Sequence, residues 1–235
     1  MDSFALEGLM TGKVAPLGPR EVPSGIVKTS VRSTIRLTRN GFAGDEQGDM
    51  VRHGGPEKAV HHYPFDHYAT WAEDIGAHEL LRWPGAFGEN LSTRGLTEGD
   101  IAIGDVFELG TATIEVSQGR QPCWKLNQRF GRNDMAKSVQ FTGRTGWYYR
   151  VLAEGEVGPA DRLKLIDRQS PDWTIARIWH LFYMDTLNLC ELEALVELTS
   201  LAENWRVHAA RRLQTQEVED WTMRLTGSEL QGRAE

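Results

Sequence analysis

At 235 residues the chain has room for one large domain, or for a domain of about 150 residues with a small appendix. Its 40% hydrophobic and 25% charged shares are globular values that exclude wholesale disorder, and its two cysteines, Cys123 and Cys190, cannot make a disulfide framework. A net charge of −7 argues against a nucleic-acid polymer as partner; the apolar runs fall short of a membrane span and the first residues lack an export signal, so a cytoplasmic protein is expected.

From about residue 20 to 168 the pattern is strand-rich. Ile26–Leu37, Ile101–Leu109, Ala112–Ser117 and Arg162–Ile166 are short and β-branched or alternate apolar with polar residues. Turn pairs such as Gly99-Asp100 and Gly158-Pro159 punctuate them. Many short strands favour a barrel or sandwich over a parallel α/β sheet. Glu57–Tyr63 fits either a helical turn or a strand. One helix follows: Pro64 starts it, Phe65, Tyr68, Ala72 and Ile75 share a face, and Gly76 stops it.

After Arg168 the character changes. Ser170-Pro171-Asp172 is a helix-start signal, and Ile175, Ile178, Trp179 and Phe182 follow at helical spacing. A second helix fits Leu189, Leu192, Leu195 and Val196, and a third begins near Asn204. A last short piece carries Val218, Trp221 and Leu225. The fold class expected is mainly β with helices, barrel-like over residues 1–169, plus a small all-α appendix of three helices over 170–235.

Cys123 follows Ser117-Gln118-Gly119-Arg120-Gln121-Pro122, where Gly and Pro end a strand and force an irregular loop. Arg120 and Lys125 flank it, an electropositive setting for a sulfur that acts as nucleophile or soft-metal ligand; the alternative is a small core residue. Cys190, among leucines, reads as structural. In Arg52-His53-Gly54-Gly55-Pro56-Glu57-Lys58-Ala59, paired glycines let backbone N–H groups approach an anion, bracketed by His53 and Lys58; taken alone, a plain Gly-Gly-Pro turn is the commoner explanation. The adjacent His61 and His62 point in different directions and cannot chelate one ion together, and His67 reads as solvated. In Phe87-Gly88-Glu89-Asn90-Leu91, Asn90 suits a heterocycle edge and Glu89 a buried network. Within Thr142–Arg150, Trp147 or Tyr149 could wall a planar ligand, or fill the core. Phosphate-loop, zinc-helix and nucleophile-elbow motifs are absent, and two cysteines cannot hold a four-thiolate iron–sulfur cluster.

Taken together, the ordered pieces Gly44-Asp45-Glu46-Gln47, His53 through Ala59, His62-Tyr63-Pro64, Phe87 through Ser92, Gly99-Asp100, Val116-Ser117-Gln118 with Pro122-Cys123, Lys125-Leu126-Asn127 and Gly143 through Trp147 resemble the MOSC family, named for the C-terminal domain of molybdenum-cofactor sulfurases. The match is to its stand-alone YiiM-like branch, whose three-helix appendix the tail resembles. The resemblance implies a β-barrel-like fold holding the molybdenum cofactor (a molybdenum–molybdopterin), with Cys123 as the protein ligand to the metal. It makes His53, Gly54, Gly55, Lys58, Asn90 and Arg120 candidates for the cofactor pocket, Lys28 a candidate for the pterin phosphate, and Arg144 and Trp147 candidates for the substrate entrance. It further implies two-electron reduction of N-hydroxylated compounds, N-hydroxylated purines included. His53 or a bound water would deliver a proton, and an external flavin or iron–sulfur protein the electrons. A homodimer is compatible with the helical tail. Rival readings are a carrier of the cofactor or of a Cys123 persulfide, and a metal-free cysteine nucleophile paired with His53 or His62.

Overall fold

A computed structural model describes residues 2–49 and 54–227. In chain order, β1 (Ser3–Thr11), the hairpin β2 (Ala15–Leu17) and β3 (Val22–Ser24), β4 (Thr29–Ser30), β5 (Ile35–Thr38) and β6 (Gly41–Phe42) come first. A 3-10 turn at Pro56–Lys58 leads into β7 (Val60–His62), then α1 (Asp66–Ile75), β8 (Leu91–Thr93), β9 (Val106–Leu109) and β10 (Ala112–Gly119). Helices α2 (Lys125–Phe130) and α3 (Met135–Thr142) precede β11 (Trp147–Ala153), β12 (Gly155–Val157) and β13 (Arg162–Asp167). The tail holds α4 (Ile175–Tyr183), α5 (Leu189–Val196), α6 (Glu203–Thr215) and α7 (Thr222–Thr226).

Seven strands run β13-β9-β10-β11-β7-β8-β1, and pairing of β1 with β13 closes the ring. Closure leaves no edge strand along that ring to recruit another chain. Among the described residues only the β7–β8 step of this ring, at His62 opposite Leu91, is parallel. Alternation along β10 sends Ala112, Ile114 and Val116 into the barrel, where they meet Phe107, Trp147 and Tyr149. The β10–β11 register slips between Val116 and Gln118. A bulge there breaks the alternation just before the cysteine loop, so Ser117, Gln118 and Arg120 are all buried.

The tail does not form a core of its own. Ile178, Phe182, Leu192 and Trp205 join the barrel's apolar cluster, and the Trp205 indole N–H donates to Gln118 Oε1 at 3.0 Å. A second cluster joins Tyr63, Tyr68, Trp71 and Phe87 to Leu126 and Phe130 of α2 and to Leu225 of α7. The loop carrying Cys123 runs from β10, in the first cluster, to α2, in the second.

The barrel-like fold with a helical tail is as expected, with local differences. β1 lies wholly before the predicted strand-rich region. Ile26–Leu37 supplies only β4 and β5, and Ile101–Leu109 only β9. In the latter, buried Asp105 accepts from Ala102 N at 2.8 Å and Arg168 Nε at 2.8 Å, fixing a turn where a continuous strand was expected. Helices α2 and α3 interrupt the strand-rich region, and Glu57–Tyr63 is a 3-10 turn followed by a strand. His67 is not solvated: its Nε2 lies 2.7 Å from Glu98. Among the described residues no helix is long and apolar enough to cross a membrane.

Candidate functional site at Cys123

Gly119 ends β10 and Pro122 cannot extend a ladder, so the chain leaves the sheet and presents Cys123 immediately before α2. The side chain is 9% exposed. The residues on either side of it are tied to α7: Pro122 O accepts from the Arg224 guanidinium, and Trp124 N donates to Arg224 O at 2.8 Å.

Two cavities meet at this cysteine. Both are bordered by Cys123, Lys58, Gln121 and Tyr148. The inner one, about 640 Å³ with its open mouth, carries four cationic side chains, Lys28, Lys58, Arg120 and Lys125, against two carboxylates, Asp45 and Glu46. The outer one, about 1560 Å³ with its open mouth, is walled by Trp124, Trp221, Met223 and Arg224.

Part of the inner wall is internally satisfied. Lys28 Nζ sits 2.5 Å from Asp45, with both side chains almost wholly buried. Asp45 also accepts from Gly12 N at 2.7 Å and Asn90 Nδ2 at 2.9 Å. Asn90 Oδ1 in turn accepts from His61 N at 3.0 Å. Backbone meets backbone beside them: a Cβ on Gly25 would stand 1.9 Å from Glu46 O, so only glycine allows that approach.

Arg120 and His61 each keep one buried polar atom without a partner. Arg120 Nη2 donates to Phe87 O at 3.3 Å, but its Nη1 is buried without a partner, and so is His61 Nε2. Burial, with Arg120 nearby, pushes the His61 imidazole well below its ordinary pKa, so the ring is neutral. Burial also lowers the Lys58 ammonium. A buried guanidinium nitrogen without an acceptor is rare in native proteins and marks a place for a ligand that supplies one.

Of the residues singled out in the sequence, Lys28, Lys58, Asn90, Arg120 and Cys123 line the inner cavity. Lys28 and Asn90, however, are engaged with Asp45. Gly54 and Gly55 do not line it; Gly55, at φ 94°, precedes the 3-10 turn. His53 lies outside the described residues. Arg144 and Trp147 border neither cavity. Arg144 pairs with Asp74 and lies 3.7 Å over the Trp71 ring. Trp147 is fully buried against His62, ring centroids 4.4 Å apart. Strand parity is the reason: Trp147 and Tyr149 point into the barrel, and the wall is made by Tyr148 between them. Sequence reasoning also missed Asp45, Gln121, Trp124, Trp221 and Arg224 as site residues. Asp45 and Trp124 stood within or beside quoted motifs; Arg224, about a hundred residues from Cys123, gave no local signal.

A MOSC domain model matches residues 49–164, and a YiiM-like 3-alpha helix domain model matches residues 173–216. Protein YiiM of Escherichia coli is 40% identical over 92% of this chain and 96% of its own length. This chain belongs to the YiiM-like MOSC family. The crystal structure of YiiM from Escherichia coli superposes with a TM-score of 0.77 at 35% identity, covering 90% of this chain and 98% of that one. A protein named reductase from Gibberella moniliformis is 37% identical over 67% of this chain, which spans only 28% of that protein. MOSC domains are associated with binding of the molybdenum cofactor, so membership carries a role related to that cofactor. The inner cavity fits such a group: it offers net positive charge, two orphaned buried nitrogens and one cysteine sulfur, a soft ligand for a redox-active metal.

Proposed function

We propose that the protein is a molybdenum-cofactor-dependent reductase of N-hydroxylated compounds, supplied with electrons by an external flavin or iron–sulfur protein. The observation that carries this reading is Cys123 at the junction of a cation-lined inner cavity and an aromatic-walled outer one. Lys58, Arg120 and Lys125 would hold the anionic pterin group, His61 Nε2 would meet its edge, and Cys123 would supply the protein sulfur to the metal. Bound there, the cofactor would supply the two electrons that break the N–O bond. The reaction consumes two electrons and two protons, releasing the amine and one water. His53 or a bound water delivers a proton, since an imidazole titrates near neutrality. Cys123 itself is only 9% exposed. That low exposure sets this reading ahead of a persulfide carrier, whose sulfur must reach a second protein.

The test is molybdenum and pterin content of wild type and Cys123→Ala from a host that makes the cofactor, followed by reduction of an N-hydroxylated substrate with a chemical reductant. Stoichiometric metal in the wild type, its loss in the variant, and substrate consumption support the reading. Metal without turnover leaves the cofactor carrier. No metal in either sinks the assignment.

A further inference from the structure

The outer cavity is walled by a segment that neither matched family region includes. Asp220, Trp221, Met223, Arg224 and Gly227 all border it, whereas the matched regions end at residue 216. Its placement is fixed on several sides. Leu225 is buried in the second apolar cluster, and Asn127 Nδ2 donates to Leu225 O at 3.0 Å. Arg224 holds Pro122 O and the Gln140 side chain, and its guanidinium lies 4.8 Å from the Trp221 ring centroid. Trp221 is further packed edge-on against His208, at 5.6 Å, and Tyr183, at 6.3 Å. A large aromatic ring held on two sides loses little rotamer freedom when a ligand covers its remaining face. Trp124, Tyr148 and Cys123 line the same cavity.

We infer that Trp221 is a specificity-determining residue on the substrate side of Cys123, giving the outer cavity an aromatic wall against which a planar heteroaromatic ligand stacks. This rests on the reductase reading only for what happens to the ligand; binding itself requires no turnover. The C-terminal segment is thereby part of the site. Arg224 sets its position: the guanidinium and carbonyl that bracket Cys123 come from the residue one turn after Trp221.

Calorimetric titration of the cofactor-loaded protein with adenine, a planar probe, and with cyclohexylamine, a non-planar one, tests this in wild type, Trp221→Phe and Trp221→Leu. Both variants keep apolar bulk, and unchanged molybdenum content reports an intact site. The expected result is adenine binding to wild type and Trp221→Phe alike, weakened roughly five-fold or more in Trp221→Leu, the loss of one ring-on-ring contact. Cyclohexylamine should not distinguish the three. No adenine binding to wild type, equal binding by all three proteins, or equal losses in both variants would each overturn the inference. Should wild type bind adenine as expected yet reduce no N-hydroxylated substrate, the reductase reading falls and the aromatic wall stands.

Discussion

His62 makes the protein's stability depend on pH in a way the structure sizes. Its ring is fully buried in the barrel, Nδ1 3.0 Å from Tyr149 Oη and Nε2 3.0 Å from Thr93 Oγ1. Burial depresses its pKa from 6.5 to about 3. Above pH 6.5 neither folded nor unfolded protein carries the proton, and this residue contributes no pH dependence. As pH falls through 6.5 the unfolded chain takes up a proton that the native state refuses, so stability is lost; the loss saturates only near pH 3. At pH 5 the cost from His62 is about 2 kcal/mol, from 1.36 kcal/mol per pH unit over about one and a half units. His61, also buried and depressed, adds a loss of the same sign. Urea unfolding followed by tryptophan fluorescence at pH 7.5 and 5.0 measures it. His62→Gln should be less stable at pH 7.5, since one amide cannot replace both ring contacts, but should lose about 2 kcal/mol less than wild type on acidification. Equal acid losses in the two proteins would refute the neutral, buried imidazole.

Gly25→Ala should force the backbones of residues 25 and 46 apart, because its Cβ would stand 1.9 Å from Glu46 O. A stability cost of about 3 kcal/mol and loss of bound molybdenum cofactor are expected, read by thermal melting and metal content. Arg120→Met removes a buried guanidinium whose Nη1 has no partner. The cofactor-free protein should gain about 1 kcal/mol or stay as stable, while cofactor retention through dialysis drops roughly ten-fold; undiminished retention would show that the orphaned nitrogen does not serve a ligand.

The barrel was legible where side chains alternate cleanly, as in Ala112–Ser117 and Arg162–Ile166, since period-two burial needs no knowledge of partners. β1 was not. Its alternation is interrupted at Gly8, where a Cβ would meet Pro84 at 2.8 Å, and the reason for that glycine lies in a residue far along the chain. Helices α2 and α3 span only six and eight residues, too short for a helical period to stand out from a strand-rich background. The cysteine loop was readable because Gly119 and Pro122 break a strand at a fixed point. Tyr148 was missed for a different reason: a run of three aromatics shows that one face is walled, but not which parity faces the core. The pairing of Lys28 was not legible, since nothing local says that Asp45 will reach its ammonium.

That pairing explains how one cavity can be both rigid and receptive. Four cations crowded around a hollow would repel one another and leave the walls ill-defined. Here the Lys28 charge is neutralised by Asp45, and that carboxylate also binds the Asn90 amide and the Gly12 backbone, so one ion pair becomes a brace between β1, the loop before β8 and residues 28 and 45. Lys125, on the far side, is held at 3.1 Å by Pro23 O, a neutral acceptor that leaves its charge uncancelled. Arg120 is likewise held by a carbonyl, with one nitrogen left over. The wall therefore divides its labour: groups that saturate one another set the shape, and groups anchored by neutral carbonyls set the charge. An anionic ligand meets the second set without disturbing the first, so binding need not reorganise the barrel.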